Sequence, residues 1–322
     1  MDKTRVFITR PIDEKGLERL RNHHSIEIIQ NQKNELLAPE EIARQAKGAA
    51  ALITLLSDKI DKKIIDALLP EIKIIANYAV GYDNIDVEYA KQKGIVVTNT
   101  PEVMTQAVAE HAITLMLACS RRIVEGDRYV RAGKYDMWEP ELLLGPEIAG
   151  KTIGIVGVGR IGKALAQIAY HGFGMKILYV DVATCEEIEK DLQSDKVSLD
   201  VLLSRSDFIS LHVPLTDETK HMISSEQFKK MKKTAVLVNT ARGAIIDEKA
   251  LIGALREKEI FSAGLDVFEQ EGSVNPEFYK LDNVVLTPHI ASATHEARES
   301  MSECVAENVI EVISGRPAKT AV

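Results

Sequence analysis

Cysteine is scarce in this chain of 322 residues: Cys119, Cys185 and Cys304 are far apart and odd in number. That spacing gives neither a disulfide framework nor a metal cluster, and it fits a reducing cytosol. Long apolar runs are missing as well. The strongest helical patch, Ala112–Ser120, is far short of a membrane span and has Glu110 and Arg121 beside it. The opening Met1-Asp-Lys-Thr-Arg leads into a short strand rather than into the apolar region of a signal peptide, so a cytoplasmic chain is expected. No long basic run occurs, and 40 Lys and Arg against 48 Asp and Glu leave a net charge of −8. Nucleic acid is therefore a poor candidate for the main partner. There is no sequence repeat, no low-complexity stretch and no polar linker.

What is present is alternation. Arg5–Thr9, Ile26–Ile29, Ala51–Thr54, Ile72–Ala76 and Val96–Thr98 read as short strands. Between them Glu14–Arg21, Pro39–Ala46, Asp61–Leu68 and Asp86–Gln92 read as helices. After Gly150 the pattern restarts, with strands at Thr152–Val156, Lys176–Val180, Phe208–Val213, Ala235–Asn239, Ser262–Asp266 and Val284–Leu286. Helices fall near 161–170, 198–204, 225–232 and 247–258. Such alternation predicts parallel sheets covered on both faces. Val103–Val130 reads as one long helical pattern, Trp138–Gly150 as a loop or arm, and Glu296–Ile313 as the last helix, stopped by Ser314-Gly315 and Pro317.

One stretch carries a chemical signature. Thr152–Val156 runs straight into Gly157-Val-Gly159-Arg160-Ile161-Gly162, and Asp181 follows at the end of the next strand. A strand, a glycine-rich turn and a helix start bring backbone N–H groups and a helix dipole to a pyrophosphate, and a carboxylate placed like Asp181 can accept from both ribose hydroxyls. The plainer readings are a tight turn for the glycines and a helix cap for Asp181. Polar residues also follow four other strands, where a parallel sheet places its ligands: Asn77 to Asp86, Asn239 to Gly243, Gly264 to Glu271, and Thr287 to Ser292.

These motifs, with Thr98-Asn-Thr-Pro-Glu-Val and Leu281-Asp-Asn-Val-Val-Leu-Thr-Pro-His-Ile, resemble the D-isomer-specific 2-hydroxyacid dehydrogenases over essentially the whole length. Within that family the chain is most similar to the glyoxylate/hydroxypyruvate reductase branch. The resemblance implies an α/β fold of two doubly wound parallel-sheet domains. A discontinuous flavodoxin-like substrate (catalytic) domain would take residues 1–99 and 291–322, and a Rossmann-type NAD-binding domain residues 100–290, with the site in a cleft that closes to expel water. It implies a homodimer through the long helix and the 120–150 arm.

Roles follow from the same resemblance, and the chemistry asks for them too. Reduction of a 2-keto acid needs a cation for the carboxylate, a proton donor for the carbonyl oxygen and a hydride source. Arg242 offers a planar fork for a carboxylate. His289 can donate a proton near neutral pH, and Glu271 would hold its ring and favour the charged form. Glu269 is the runner-up for the glutamate. Where the family motif continues with proline, this chain has Gly272, so the loop is expected to be more flexible. Asp266 looks like the family residue near the nicotinamide. Thr105, Val213, Pro214, Thr219 and Thr240 match cofactor-side positions, as do Arg242 and His289. Leu56, Val80, Gly81 and Ser292 match substrate-side positions, with backbone N–H groups of Val80 and Gly81 on the carboxylate. Trp138 falls in a segment that in related reductases reaches the partner's site. The remaining histidines read as structural: His23 and His24 solvated, His111 a packing or interface residue, His212 part of an adenine-side wall.

NAD is the expected cofactor, because the charge of Asp181 would repel a 2′-phosphate, and no metal is expected. Other readings on the same scaffold are a D-lactate, 3-phosphoglycerate or phosphite dehydrogenase. Glu271 counts against a formate dehydrogenase. A reading of another class is an NADH-sensing binding protein like the corepressors that share the fold.

Overall fold

The computed structural model describes residues 3–322. They form two compact units. The first runs to Met104 and takes in Ala293–Val322; the second is Thr105–Ser292. The changes of unit thus come at 104/105 and 292/293, against the sequence expectation of 99/100 and 290/291.

In the first unit the order is β1 (Thr4–Ile8), α1 (Glu14–Arg21), β2 (Ile26–Gln30), α2 (Pro39–Gln45), β3 (Ala51–Thr54), α3 (Lys62–Leu68), β4 (Ile74–Asn77), α4 (Val87–Gln92) and β5 (Val96–Thr98); α12 (His295–Ile313) completes it. The strands pair in parallel in the order β2-β1-β3-β4-β5. This is the flavodoxin-like arrangement, whose loops at the carboxyl ends of the strands are the place for ligands. The inner strands β3 and β4 are short and buried along their whole length, as strands under two helical layers must be, while the edge strand β2 is mostly half-buried. Phe7, Leu52, Ile75 and Val97 share one core cluster with Ile64, Ile65 and Leu68 of α3. Each such side chain stabilises the fold by about 1.5–3 kcal/mol. Helix starts are set by Asp13, Asp61 and Asp86, whose carboxylates accept from first-turn N–H groups.

The second unit opens with α5 (Thr105–Ser120) and α6 (Ile123–Arg131). The sequence pattern read these as one helix; the structure breaks it at Arg121-Arg122, where Arg122 takes φ +51. Glycine, the usual residue at such a left-handed stop, is absent there, so nothing in the pattern marks the break. Then come β6 (Thr152–Val156), α7 (Arg160–Phe173), β7 (Lys176–Val180), α8 (Glu186–Leu192), β8 (Asp195–Lys196), α9 (Leu199–Arg205), β9 (Phe208–Leu211), α10 (Ser225–Lys230), β10 (Val236–Asn239), α11 (Glu248–Arg256), β11 (Ser262–Leu265) and β12 (Val284–Leu286). All pairings are parallel, in the order β12-β11-β10-β9-β6-β7-β8. The order reverses between β6 and β9, and a doubly wound sheet binds a dinucleotide at the reversal. Helix α5 is buried along Ala112, Leu115, Met116 and Cys119, in one cluster with Ile153, Ile155, Leu165 and Val238. No helix among the described residues is long and apolar enough to cross a membrane.

Candidate active site

At the reversal β6 delivers the glycine turn. Gly157 has φ +94, and a Cβ there would lie 2.9 Å from the carbonyl carbon of His212. At Gly162 a Cβ would stand 2.1 Å from the carbonyl oxygen of Gly157, so α7 can approach the strand only without a side chain. Gly159, by contrast, faces open space. It is the N-cap of α7 and makes no side-chain cap, so the positive end of that helix dipole faces the turn without a capping side chain over it.

Asp181 accepts from the backbone N–H of Val158 at 2.8 Å and of Ala183 at 3.2 Å. It does not cap α8, whose N-cap is Cys185. The acid instead ties its own loop to the glycine turn. Three more acids, Glu186, Glu187 and Glu189, occupy the first turn of α8. On the other side of the turn Val213 is half-buried and Pro214 exposed. The Thr219 hydroxyl donates to the Pro214 carbonyl at 2.6 Å and accepts from Thr216 N–H at 2.8 Å, so it shapes this loop. His212 contacts Ser210 Oγ through Nε2 at 2.8 Å, and burial pushes it down to about 4. Thr105, the first residue of α5, and Arg160 and Ile161, the first two of α7, stand at helix starts. The hydroxyl of Thr240 is buried without a protein partner.

These features suit a dinucleotide. The turn is clear of side chains where a pyrophosphate would approach, a helix start faces it, a carboxylate stands at the end of β7, and a buried hydroxyl remains to be bonded.

The chemistry gathers at β10, β11 and β12. The Asn239 side chain donates to the Arg242 carbonyl at 2.9 Å and accepts from Ala241 N–H at 3.0 Å, holding the loop that carries Arg242. Arg242 Nη1 donates to the Ala241 carbonyl at 2.7 Å. Next to this loop Gly243 lies against the backbone of Phe268, with no room for a Cβ. His289 follows β12 at φ +54. Its Nδ1 is 3.2 Å from Oε1 of Glu271, and that oxygen also accepts from Phe268 N–H at 3.4 Å. An acceptor at Nδ1 favours the proton there and leaves Nε2 as the ring nitrogen not bonded to the carboxylate. Glu269 is engaged elsewhere: it lies 3.0 Å from His221 Nε2 and exchanges backbone-to-carboxylate bonds with Glu248. Of the two candidate glutamates, Glu271 is the one beside His289. Gly272 sits at φ +78, a conformation closed to proline.

Asp266 is fully buried. Its carboxylate accepts from Thr287 Oγ1 at 2.6 Å and from the N–H groups of Ile290 and Ala291 at 2.8 Å each. Burial alone would push this carboxyl up; the bonds from His111, Thr287, Ile290 and Ala291 outweigh it and hold the group below the usual range. His111 Nε2 is 3.1 Å from Thr287 Oγ1 and 3.4 Å from Asp266. His111, read from sequence as a packing or interface residue, belongs to this network. Ser292 is buried just beyond it.

Leu56, Val80 and Gly81 are half-buried residues of the first unit, and Trp138 is 76 % exposed in the 120–150 arm. No group of three or more His, Cys, Asp or Glu able to hold a metal occurs among the described residues.

A nucleotide cradle at the sheet reversal, an arginine fork and a carboxylate-held imidazole together define a nicotinamide-linked dehydrogenase of small acids. Comparison with known proteins narrows the class. Residues 113–291 match the model of the D-isomer specific 2-hydroxyacid dehydrogenase NAD binding domain. A glyoxylate reductase of Korarchaeum cryptofilum is 51% identical over 311 residues, 96% of this chain and 92% of that protein. A solved structure from Thermus thermophilus superposes with a TM-score of 0.91 at 41% identity, covering 99% of this chain and 100% of that one. An NADPH-dependent glyoxylate/hydroxypyruvate reductase from Sinorhizobium meliloti, solved with NADP and malonate, gives 0.86 at 32% identity, covering 100% and 97%. The chain belongs to the D-isomer specific 2-hydroxyacid dehydrogenase family.

Proposed function

We propose that this dehydrogenase reduces glyoxylate and hydroxypyruvate to glycolate and D-glycerate, with NADH as the preferred donor. The observation that carries the reading is the Nδ1 to Oε1 contact of His289 and Glu271, which points Nε2 away from the carboxylate as a proton donor. When bound, the nicotinamide supplies the hydride. Arg242 holds the substrate carboxylate through a bidentate fork. Protonated His289 bonds the carbonyl oxygen and passes it a proton as charge develops there; Glu271 stabilises the imidazolium. In the direction of oxidation, neutral His289 takes the hydroxyl proton. Leu56, Val80, Gly81 and Ser292 complete the substrate contacts.

The preference for NADH rests on Asp181 and the acidic first turn of α8, which disfavour a 2′-phosphate. The exposed arm with Trp138 supports a homodimer, and the scarcity of cysteine supports a cytoplasmic location.

Steady-state assays over a panel of 2-keto acids test the substrate. Glyoxylate and hydroxypyruvate are expected to give the highest kcat/KM. Fast turnover of pyruvate or a bulky keto acid, with neither of those two used, overturns the assignment. Equal or better kinetics with NADPH overturns the cofactor preference.

A further inference from the structure

In the first unit, the turn after β4 is tethered peptide by peptide. The carbonyl of Ala79 accepts from Thr100 N–H at 2.9 Å, that of Val80 from Asn99 Nδ2 at 2.7 Å, and that of Gly81 from Asn77 Nδ2 at 2.7 Å. In a trans peptide the N–H points opposite to the C=O. Each held carbonyl therefore turns the N–H of its own peptide, that of Val80, Gly81 or Tyr82, away from the donor that holds it, where it can meet an anion.

The two asparagines are themselves locked. Asn77 is fully buried, and its Oδ1 accepts from Thr54 Oγ1 at 3.0 Å and Asn84 Nδ2 at 3.3 Å. Asn99 is held through its backbone by the C-terminal tail. Thr320 Oγ1 donates to the Asn99 carbonyl at 2.6 Å, and Asn99 N–H donates to the Thr320 carbonyl at 3.3 Å. Thr320 in turn hangs on the buried Asn308, whose Oδ1 accepts from the N–H of Lys319 at 2.9 Å and of Thr320 at 3.1 Å.

We infer that Asn99, with Asn77, is a positioning residue for the substrate carboxylate. Each asparagine contributes a carboxamide donor that turns a peptide of the Val80–Gly81 segment toward the anion, and the tail residue Thr320 fixes Asn99. This rests on the proposed reduction of a 2-keto acid.

The test uses the full chain. Asn99→Ala and Asn99→Asp are compared with wild type; the second keeps the size of the side chain and loses the donor. The KM for glyoxylate is expected to rise at least tenfold, with kcat and the KM for NADH each within about threefold and the Tm lowered by only a few degrees. A merely structural role would move both KM values together. Oxalate, titrated by NMR, is expected to shift the Val80 and Gly81 amides in wild type and to lose that effect in Asn99→Asp. An unchanged KM for glyoxylate in the variants, or unmoved amides in wild type, overturns the inference. Absence of turnover by wild type overturns the functional reading alone, since the oxalate titration still decides the role of Asn99. If both Asn99 variants fail to fold, Thr320→Val, which removes the bond to the Asn99 carbonyl, is expected to raise the same KM two- to fivefold; no rise overturns the inference.

Discussion

Two loops of the second unit solve opposite problems. The turn at Gly157–Gly162 is shaped by subtraction: two side chains are absent because backbone atoms stand where they would go. The loop at Thr287–Ser292 is shaped by addition, because a buried carboxylate gathers its N–H groups and holds His289 at φ +54. The first depends on sterics and breaks all at once. The second depends on polar bonds and yields by degrees, with the chemical group and its support on separate residues.

Gly162→Val breaks the first loop most completely. The clash is with a backbone oxygen, so a loss of more than about 4 kcal/mol is expected together with loss of NADH binding, read by denaturation and by nucleotide fluorescence. Gly159→Ala sharpens the contrast: it keeps the Tm within about 2 °C and still weakens NADH, because its Cβ enters open space rather than the fold. In the second loop, His289→Ala is expected to lower kcat by about 10²–10⁴-fold with the Tm nearly unchanged. Equal losses of stability and rate there would mean that the imidazole also supports its loop. Asp266→Ala should show that coupling, costing about 3 kcal/mol and reducing kcat, since it leaves buried N–H groups without an acceptor.

Acid separates the loops by pH window. His212, whose carbonyl abuts the glycine turn, titrates at about 4 in the fold against 6.5 unfolded. The unfolded chain then binds the proton first, so up to about 3 kcal/mol present above pH 6.5 is lost as pH falls toward 4. Asp266 is held below its ordinary 3.8, so its contribution persists above that value and is lost only at lower pH. Urea titrations of wild type and His212→Gln between pH 7 and 4 check this; equal slopes would remove His212 from the account.

Much of this was legible in the sequence, because it is carried by neighbours in the chain. The glycines, the strand before them and Asp181 lie within thirty residues and report one local geometry. Both sheets follow from alternation alone. What escaped is long-range or unmarked. His111 meets Thr287 across 176 positions, a pairing that only packing creates. The break at Arg122 lacks a glycine, and β8 is two residues long. Asp181 was expected on the ribose, and the structure adds a bond to Val158 that spacing could not reveal. Motif spacing already favours Glu271 over Glu269; what the sequence could not show is that Glu269 pairs with His221.

The discontinuity of the first unit bears on how the chain is made. Helix α12 packs on α1 and on strands β3, β4 and β5, and Val322 bonds back to Val97. Yet between Met104 and Ala293 the ribosome must add the whole of the second unit. At ordinary elongation speeds that takes roughly 10–40 s. The strands synthesised first thus wait for their cover, while the unit that follows them can finish its core. Birth order and completion order are reversed: the sheet made first is the last to receive its helical cover.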